Sequence, residues 1–126
     1  MAGGNEAVFL SKEGAEDVFE DGKKEISRLA RRGDTVIGIA ASGITPYVRG
    51  GLAAGRARGA VTVLVTCNPR ERAEEAAIHI ALDVGPEPVS GSTRMKSGTA
   101  TKLALNMLST AAMVASGKVY RNWMVD

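Results

Sequence analysis

Aromatic residues are scarce, with two Phe, two Tyr and one Trp making up 4% of 126 residues. A core must therefore be assembled from Ala, Val, Ile, Leu and Met rather than from large rings. The single cysteine, Cys67, excludes an internal disulfide. With one histidine besides, the chain lacks the spaced soft ligands of a metal cluster, so no metal is expected. No apolar run approaches the roughly 18 residues needed to cross a bilayer, and no signal-peptide pattern opens the sequence. A cytoplasmic chain with no membrane partner is the expectation. Sixteen Lys and Arg against fourteen Asp and Glu leave a net charge of +2. The basic residues are scattered rather than striped, which argues against a nucleic-acid surface. Neither Gly-x-x-x-x-Gly-Lys-Ser/Thr nor a Gly-x-Gly-x-x-Gly following a strand occurs, so nucleotide binding lacks support and no cofactor is expected.

What remains is ordinary globular composition, 44% hydrophobic and 24% charged with 15 Gly, at a length suited to one domain spanning residues 1–126. Between residues 34 and 116, short β-branched runs alternate with longer Ala-rich stretches, the pattern of βαβ units around a parallel sheet. The run 35–41 is apolar on both faces, as a central parallel strand requires, and ends in Ser42-Gly43. Thr45 can cap the following helix, with Pro46 in its first turn and Gly59 as its stop. The run 61–66 predicts a second strand, residues 70–76 a short charged helix, and residues 78–84 a third strand. Two prolines and a glycine make 85–88 irregular. The longest helix is expected over 95–116, with Gly117 after it. Leu103, Met107, Ala111 and Val114 form one apolar stripe on it and Ala104, Leu108, Ala112 and Ala115 another, which predicts a largely buried face. At the N-terminus, where Gly3-Gly4, Gly14 and Gly22 interrupt helical character, two short helices over 5–13 and 18–31 are expected. Three strands make a thin sheet, and help from another segment, a partner chain or self-association is expected.

In an open parallel sheet, ligands bind at the C-terminal ends of the strands. Ala41-Ser42-Gly43 with Thr45, Thr66-Cys67-Asn68, and Ser90-Gly91-Ser92-Thr93 all fall there, and two of these segments lead into helices. Helix N-terminal N–H groups and Ser/Thr hydroxyls together can hold a phosphate dianion without a metal. The same residues also suit plain caps and turns. Lys96 and Arg94 can reach an anionic ligand or stay solvated. Glu16, in the acidic group Glu13, Glu16, Asp17 and Glu20, reads either as a solvated helix end or as a general base. Glu87, between two prolines, is a loop carboxylate beside the expected ligand edge, and His79 reads as structural.

The strings 38–48 (Gly-Ile-Ala-Ala-Ser-Gly-Ile-Thr-Pro-Tyr-Val), 90–100 (Ser-Gly-Ser-Thr-Arg-Met-Lys-Ser-Gly-Thr-Ala) and 102–110 (Lys-Leu-Ala-Leu-Asn-Met-Leu-Ser-Thr) resemble the N-acetylmuramic acid 6-phosphate etherases. So do 13–17 (Glu-Gly-Ala-Glu-Asp) and the ending 116–126. The resemblance runs in order along nearly the whole chain. It implies the sugar isomerase (SIS) fold, a flavodoxin-like parallel sheet between helices, shared with the glucokinase regulatory protein. It also implies cleavage of the lactyl ether of N-acetylmuramic acid 6-phosphate to N-acetylglucosamine 6-phosphate and D-lactate by elimination and rehydration, in cell-wall sugar recycling. Matched residue by residue, Glu16 takes the place of the family's proposed base. Ser42, Gly43 and Thr45 match one ligand loop, and Ser90, Ser92 and Thr93 a second, with Glu87 and Lys96 nearby. The family's earlier strand, its first Gly/Ser-rich loop, the segment carrying its proposed acid and its C-terminal helical region have no counterpart in this sequence. Ile44 stands where the family usually has Arg. The resemblance further implies a homodimer, or a complex with a chain supplying the N-terminal segment. A non-catalytic sugar-phosphate-binding or regulatory module is the alternative.

Overall fold

In the computed structural model, which describes residues 1–125, the β-branched run Thr35–Ile39 (β1) pairs in parallel with Val61–Thr66 (β2). The register sets Thr35 beside Val61 and Ile39 beside Val65. β2 pairs in parallel with Ile78–Ala81 (β3), giving the order β1-β2-β3. Parallel neighbours need a crossover, which the helix Pro46–Ala57 (α2) supplies between β1 and β2. Its Leu52 joins Leu64 and Ala73 in the buried core, with Val36, Val48 and Ala76 packed around them. This is an α/β fold with a three-stranded parallel sheet and flanking helices, as expected. Gly59 and Gly117 adopt positive φ just beyond the helices they were expected to end.

The chain divides into two compact units, Met1–Asp83 and Val84–Asp126. The first holds the parallel sheet, α2 and the helix Phe19–Leu29 (α1). The second holds the helix Lys96–Ala115 (α3) and an antiparallel hairpin of Val119–Tyr120 (β4) and Trp123–Met124 (β5). No helix among the described residues is long and apolar enough to cross a membrane.

Four expectations are corrected. Residues 5–13 do not form a helix: a 3₁₀ turn covers Asn5–Val8 and another Ala15–Asp17, and α1 is confined to Phe19–Leu29. Gly22 lies buried inside α1, where a Cβ would overlap the Tyr47 carbonyl, just as one at Gly50 would overlap that of Phe19. The two glycines let α1 and α2 touch backbone to backbone.

The second correction concerns residues 70–76, which form no helix. Their backbone groups are taken by side chains from elsewhere. Thr62 Oγ1 donates to the Glu75 carbonyl at 2.7 Å and accepts from Ala77 N–H at 3.1 Å. Arg56 donates to the Glu74 carbonyl at 2.6 Å, and His79 Nε2 lies 3.0 Å from Ala73 N. Tertiary partners outweigh helix propensity over so short a run. His79 thereby has the structural role read for it.

Third, β1 ends at Ile39 and lies at the sheet's edge, with β2 rather than β1 the central strand, and β3 ends at Ala81 rather than Val84. Fourth, the apolar face of α3 is not buried: only Ser97 is, while Leu103, Met107 and Val114 are 53%, 71% and 53% exposed. Periodicity identifies the face that would pack, not whether anything covers it.

Candidate functional site

At the C-terminal end of β1 the chain turns through Ala40-Ala41-Ser42-Gly43-Ile44-Thr45 into α2, and at the end of β2 it continues through Cys67 and Asn68. Side chains tie these two segments together. The buried Thr66 hydroxyl donates to the Ala41 carbonyl and accepts from Asn68 N–H, both at 3.1 Å. Asn68 Nδ2 donates to the Ser42 carbonyl at 3.3 Å, and Cys67 N–H to the Ala41 carbonyl at 3.0 Å. The Ser42 hydroxyl accepts from Ile44 N–H at 3.3 Å. Gly43 is demanded twice over. Its φ of 79° lies in the left-handed region, and a Cβ would stand 2.9 Å from Thr66 Oγ1 and 2.8 Å from Glu71 Cγ.

Thr45 occupies the N-cap position of α2, and its carbonyl accepts from Arg49 N–H at 3.1 Å. Its side chain makes no capping bond, contrary to expectation. Pro46 brings no N–H of its own to the first turn. The first turn of α2 therefore lacks a side-chain cap, beside an exposed Ser42 hydroxyl and an Ile44 side chain that is 60% exposed. Such an end can accept an anion.

The second expected loop lies in the second unit, where one carboxylate organises it. Glu87 accepts from Lys96 N–H at 3.1 Å through Oε2 and from Ser97 N–H at 2.9 Å through Oε1. These are first-turn N–H groups of α3, so Glu87 performs the capping that was the alternative reading of Ser92 and Thr93. The Ser97 and Lys96 N–H bonds hold the Glu87 carboxyl below the ordinary carboxylate range, assisted by the Ser97 side chain and the Lys96 charge. Ser92 Oγ accepts from Arg94 N–H at 3.4 Å, and Thr93 contributes its carbonyl to Gly98 N–H at 2.9 Å. Ser90 and the Lys96 side chain are exposed.

Glu16 sits in the 3₁₀ turn ahead of α1 and is exposed. Within the first unit, then, Ser42, Gly43 and Thr45 come together with Thr66 and Asn68. Within the second, Glu87, Ser90, Ser92, Thr93 and Lys96 share the entry to α3. Sequence reading missed Arg49, whose guanidinium pairs with Glu71, approaches Glu75 at 3.5 Å, and donates to the carbonyls of Gly43 at 3.3 Å and Arg72 at 3.1 Å. The only available signal was an Arg in a helix's first turn, where the macrodipole disfavours a cation without anionic partners.

A parallel α/β sheet with small-residue loops at its strand ends is consistent with a SIS domain. Residues 1–56 match the sequence profile of the glucokinase regulatory protein N-terminal SIS domain. Along its whole length the chain is 57% identical to the N-acetylmuramic acid 6-phosphate etherase of Clostridium beijerinckii, 56% to that of Symbiobacterium thermophilum and 54% to that of Clostridium botulinum. It spans 42% of the length of each. Over that part of their length the chain is similar to the N-acetylmuramic acid 6-phosphate etherases, and its first 56 residues are similar to a SIS domain.

Proposed function

We propose that this chain is an etherase-like SIS protein that binds a phosphorylated amino sugar. When complemented by a segment supplying a catalytic acid, it cleaves the lactyl ether of N-acetylmuramic acid 6-phosphate to N-acetylglucosamine 6-phosphate and D-lactate. The observation that carries this reading is the 54–57% identity, sustained over the whole chain, to proteins of that name. In this reading Ser42, Gly43 and Thr45 form one ligand loop, with the uncapped first turn of α2 offering N–H groups to an anion. Ser90, Ser92, Thr93 and Lys96 form another. Glu87 stands beside that second loop, its carboxylate holding the first N–H groups of α3. Glu16 takes the proton from C2 of the ring-opened sugar, lactate leaves C3, and water adds to the resulting double bond. An acid from the complementing segment protonates the departing lactate.

Two observations favour a second reading, a binding or regulatory module without turnover. Ile44 places an uncharged side chain where the resemblance implies Arg, and Glu16 is open to solvent rather than enclosed. Calorimetric titration with N-acetylmuramic acid 6-phosphate and N-acetylglucosamine 6-phosphate, with released lactate assayed in the same samples, separates the readings. The primary reading expects binding of both sugars. It also expects lactate release once the complementing segment is added, abolished by Glu16→Gln with affinity retained. Binding with no lactate under any complementation assigns the module, and absence of binding refutes both.

A further inference from the structure

We infer that Arg49 is the positioning residue of the 42–45 loop, locking it to the segment between β2 and β3. The inference rests on the reading of that loop as a ligand loop.

Arg49 lies in the first turn of α2, and helix side chains lean toward the N-terminus, so its guanidinium returns to the loop that precedes its own helix. There Nε donates to the Gly43 carbonyl at 3.3 Å. The terminal nitrogens face the opposite way: Nη2 pairs with Glu71 and donates to the Arg72 carbonyl at 3.1 Å, and Nη1 stands 3.5 Å from Glu75 Oε2. One planar group thus spans two chain segments, which a lysine ammonium cannot reproduce. The Arg49, Glu71 and Glu75 side chains are 21%, 29% and 26% exposed, so the cluster is partly shielded from screening.

The Glu71 stem packs against Gly43, within 3.0 Å of where a Cβ would lie. Arg49 therefore does two things at this loop. It fixes the Gly43 carbonyl, and hence the direction in which the Ser42 and Ile44 groups face. It also neutralises a carboxylate that would otherwise repel a phosphate there. Without the guanidinium, Glu71 and Glu75 would stand as two unpaired negative charges beside the loop.

Amide hydrogen exchange followed by NMR on the ligand-free chain, with titration of N-acetylglucosamine 6-phosphate, tests this in wild type, Arg49→Leu, Arg49→Lys and Glu71→Gln. In Arg49→Leu the Gly43 and Ile44 amides are expected to exchange about tenfold faster while those of Leu64 and Val65 are unchanged, and affinity to fall about tenfold. Arg49→Lys, which keeps the charge and loses the fork, should loosen the same two amides while losing less affinity. Unchanged Gly43 and Ile44 exchange in both Arg49 variants overturns the inference. So does acceleration shared equally by the β2 amides, which would make Arg49 merely structural. If Arg49→Leu does not fold, Glu71→Gln decides the matter: faster Gly43 and Ile44 exchange supports the lock and no change refutes it. Loosened loop amides in a chain whose wild type binds no sugar phosphate would leave the lock standing and remove the ligand reading.

Discussion

Tyr47 shows how a single side chain reports on its surroundings. It follows Pro46 at the start of α2, and its hydroxyl donates to the Glu25 carboxylate on α1. Partial burial, the bond to Glu25 and the negative charges of Glu25 and Asp21 push the phenol up to about 12. A pKa raised on folding favours the folded state fully below the unfolded value near 10, and that contribution is lost as pH rises through about 12. Ultraviolet titration should therefore find one late-ionising tyrosine, absent in Tyr47→Phe. Glu87 works with the opposite sign. Its carboxyl is held below the ordinary range by the Ser97 and Lys96 N–H groups, so its contribution is present above the unfolded pKa near 4.5 and disappears as pH falls through the lowered value. Circular dichroism of Glu87→Gln should show reduced α3 helicity at neutral pH, and the acid-dependent loss expected of wild type should be blunted. Equal helicity of wild type and variant at every pH would dismiss the cap.

At the scale of elements, the contact between α1 and α2 depends on two absent side chains. Gly22→Ala forces a methyl into the Tyr47 carbonyl, and the helices must separate to admit it. A loss of about 3 kcal/mol, read from the urea midpoint at unchanged slope, is expected from such overpacking. Helix propensity alone predicts the reverse, since Ala outranks Gly by about 1 kcal/mol in a helix interior. The sign of the change therefore decides between close approach and local preference.

Gly22 also marks the limit of what the sequence made legible. β1, β2 and α2 could be read because β-branched runs and turn residues act locally, and so could the Ser42-Gly43-Thr45 loop, since small residues at a strand end sit at a known edge of such a sheet. Gly22 looked like a weakness because its benefit belongs to another helix. Residues 70–76 looked helical because the groups that satisfy their backbone, on Thr62, Arg56 and His79, are distant in the chain or assigned to other elements. Arg49 was missed for the same reason: nothing near position 49 announces a bond to the Gly43 carbonyl.

Across the whole molecule, burial is unevenly spread. The apolar core of Leu52, Leu64 and Ala73, with β2 at its centre, lies within the first unit, whereas among residues 84–125 only Ser97 is buried. α3 draws little on the tertiary packing that supplies most helix stability in proteins, since its Leu103, Met107 and Val114 face solvent. Its hydrogen bonds should therefore open at lower free-energy cost than those of β2. Native-state hydrogen exchange is expected to find the amides of 63–65 the slowest in the chain and those of 103–114 at least about a hundredfold faster, with the Glu87-capped first turn of α3 the best protected part of that helix. Repeating the measurement across a range of protein concentrations gives the alternative a distinct signature. Amides of α3 as slow as those of β2 at every concentration would mean that the apolar stripe is covered within each molecule. Slowing that grows with concentration would mean that a second copy covers it.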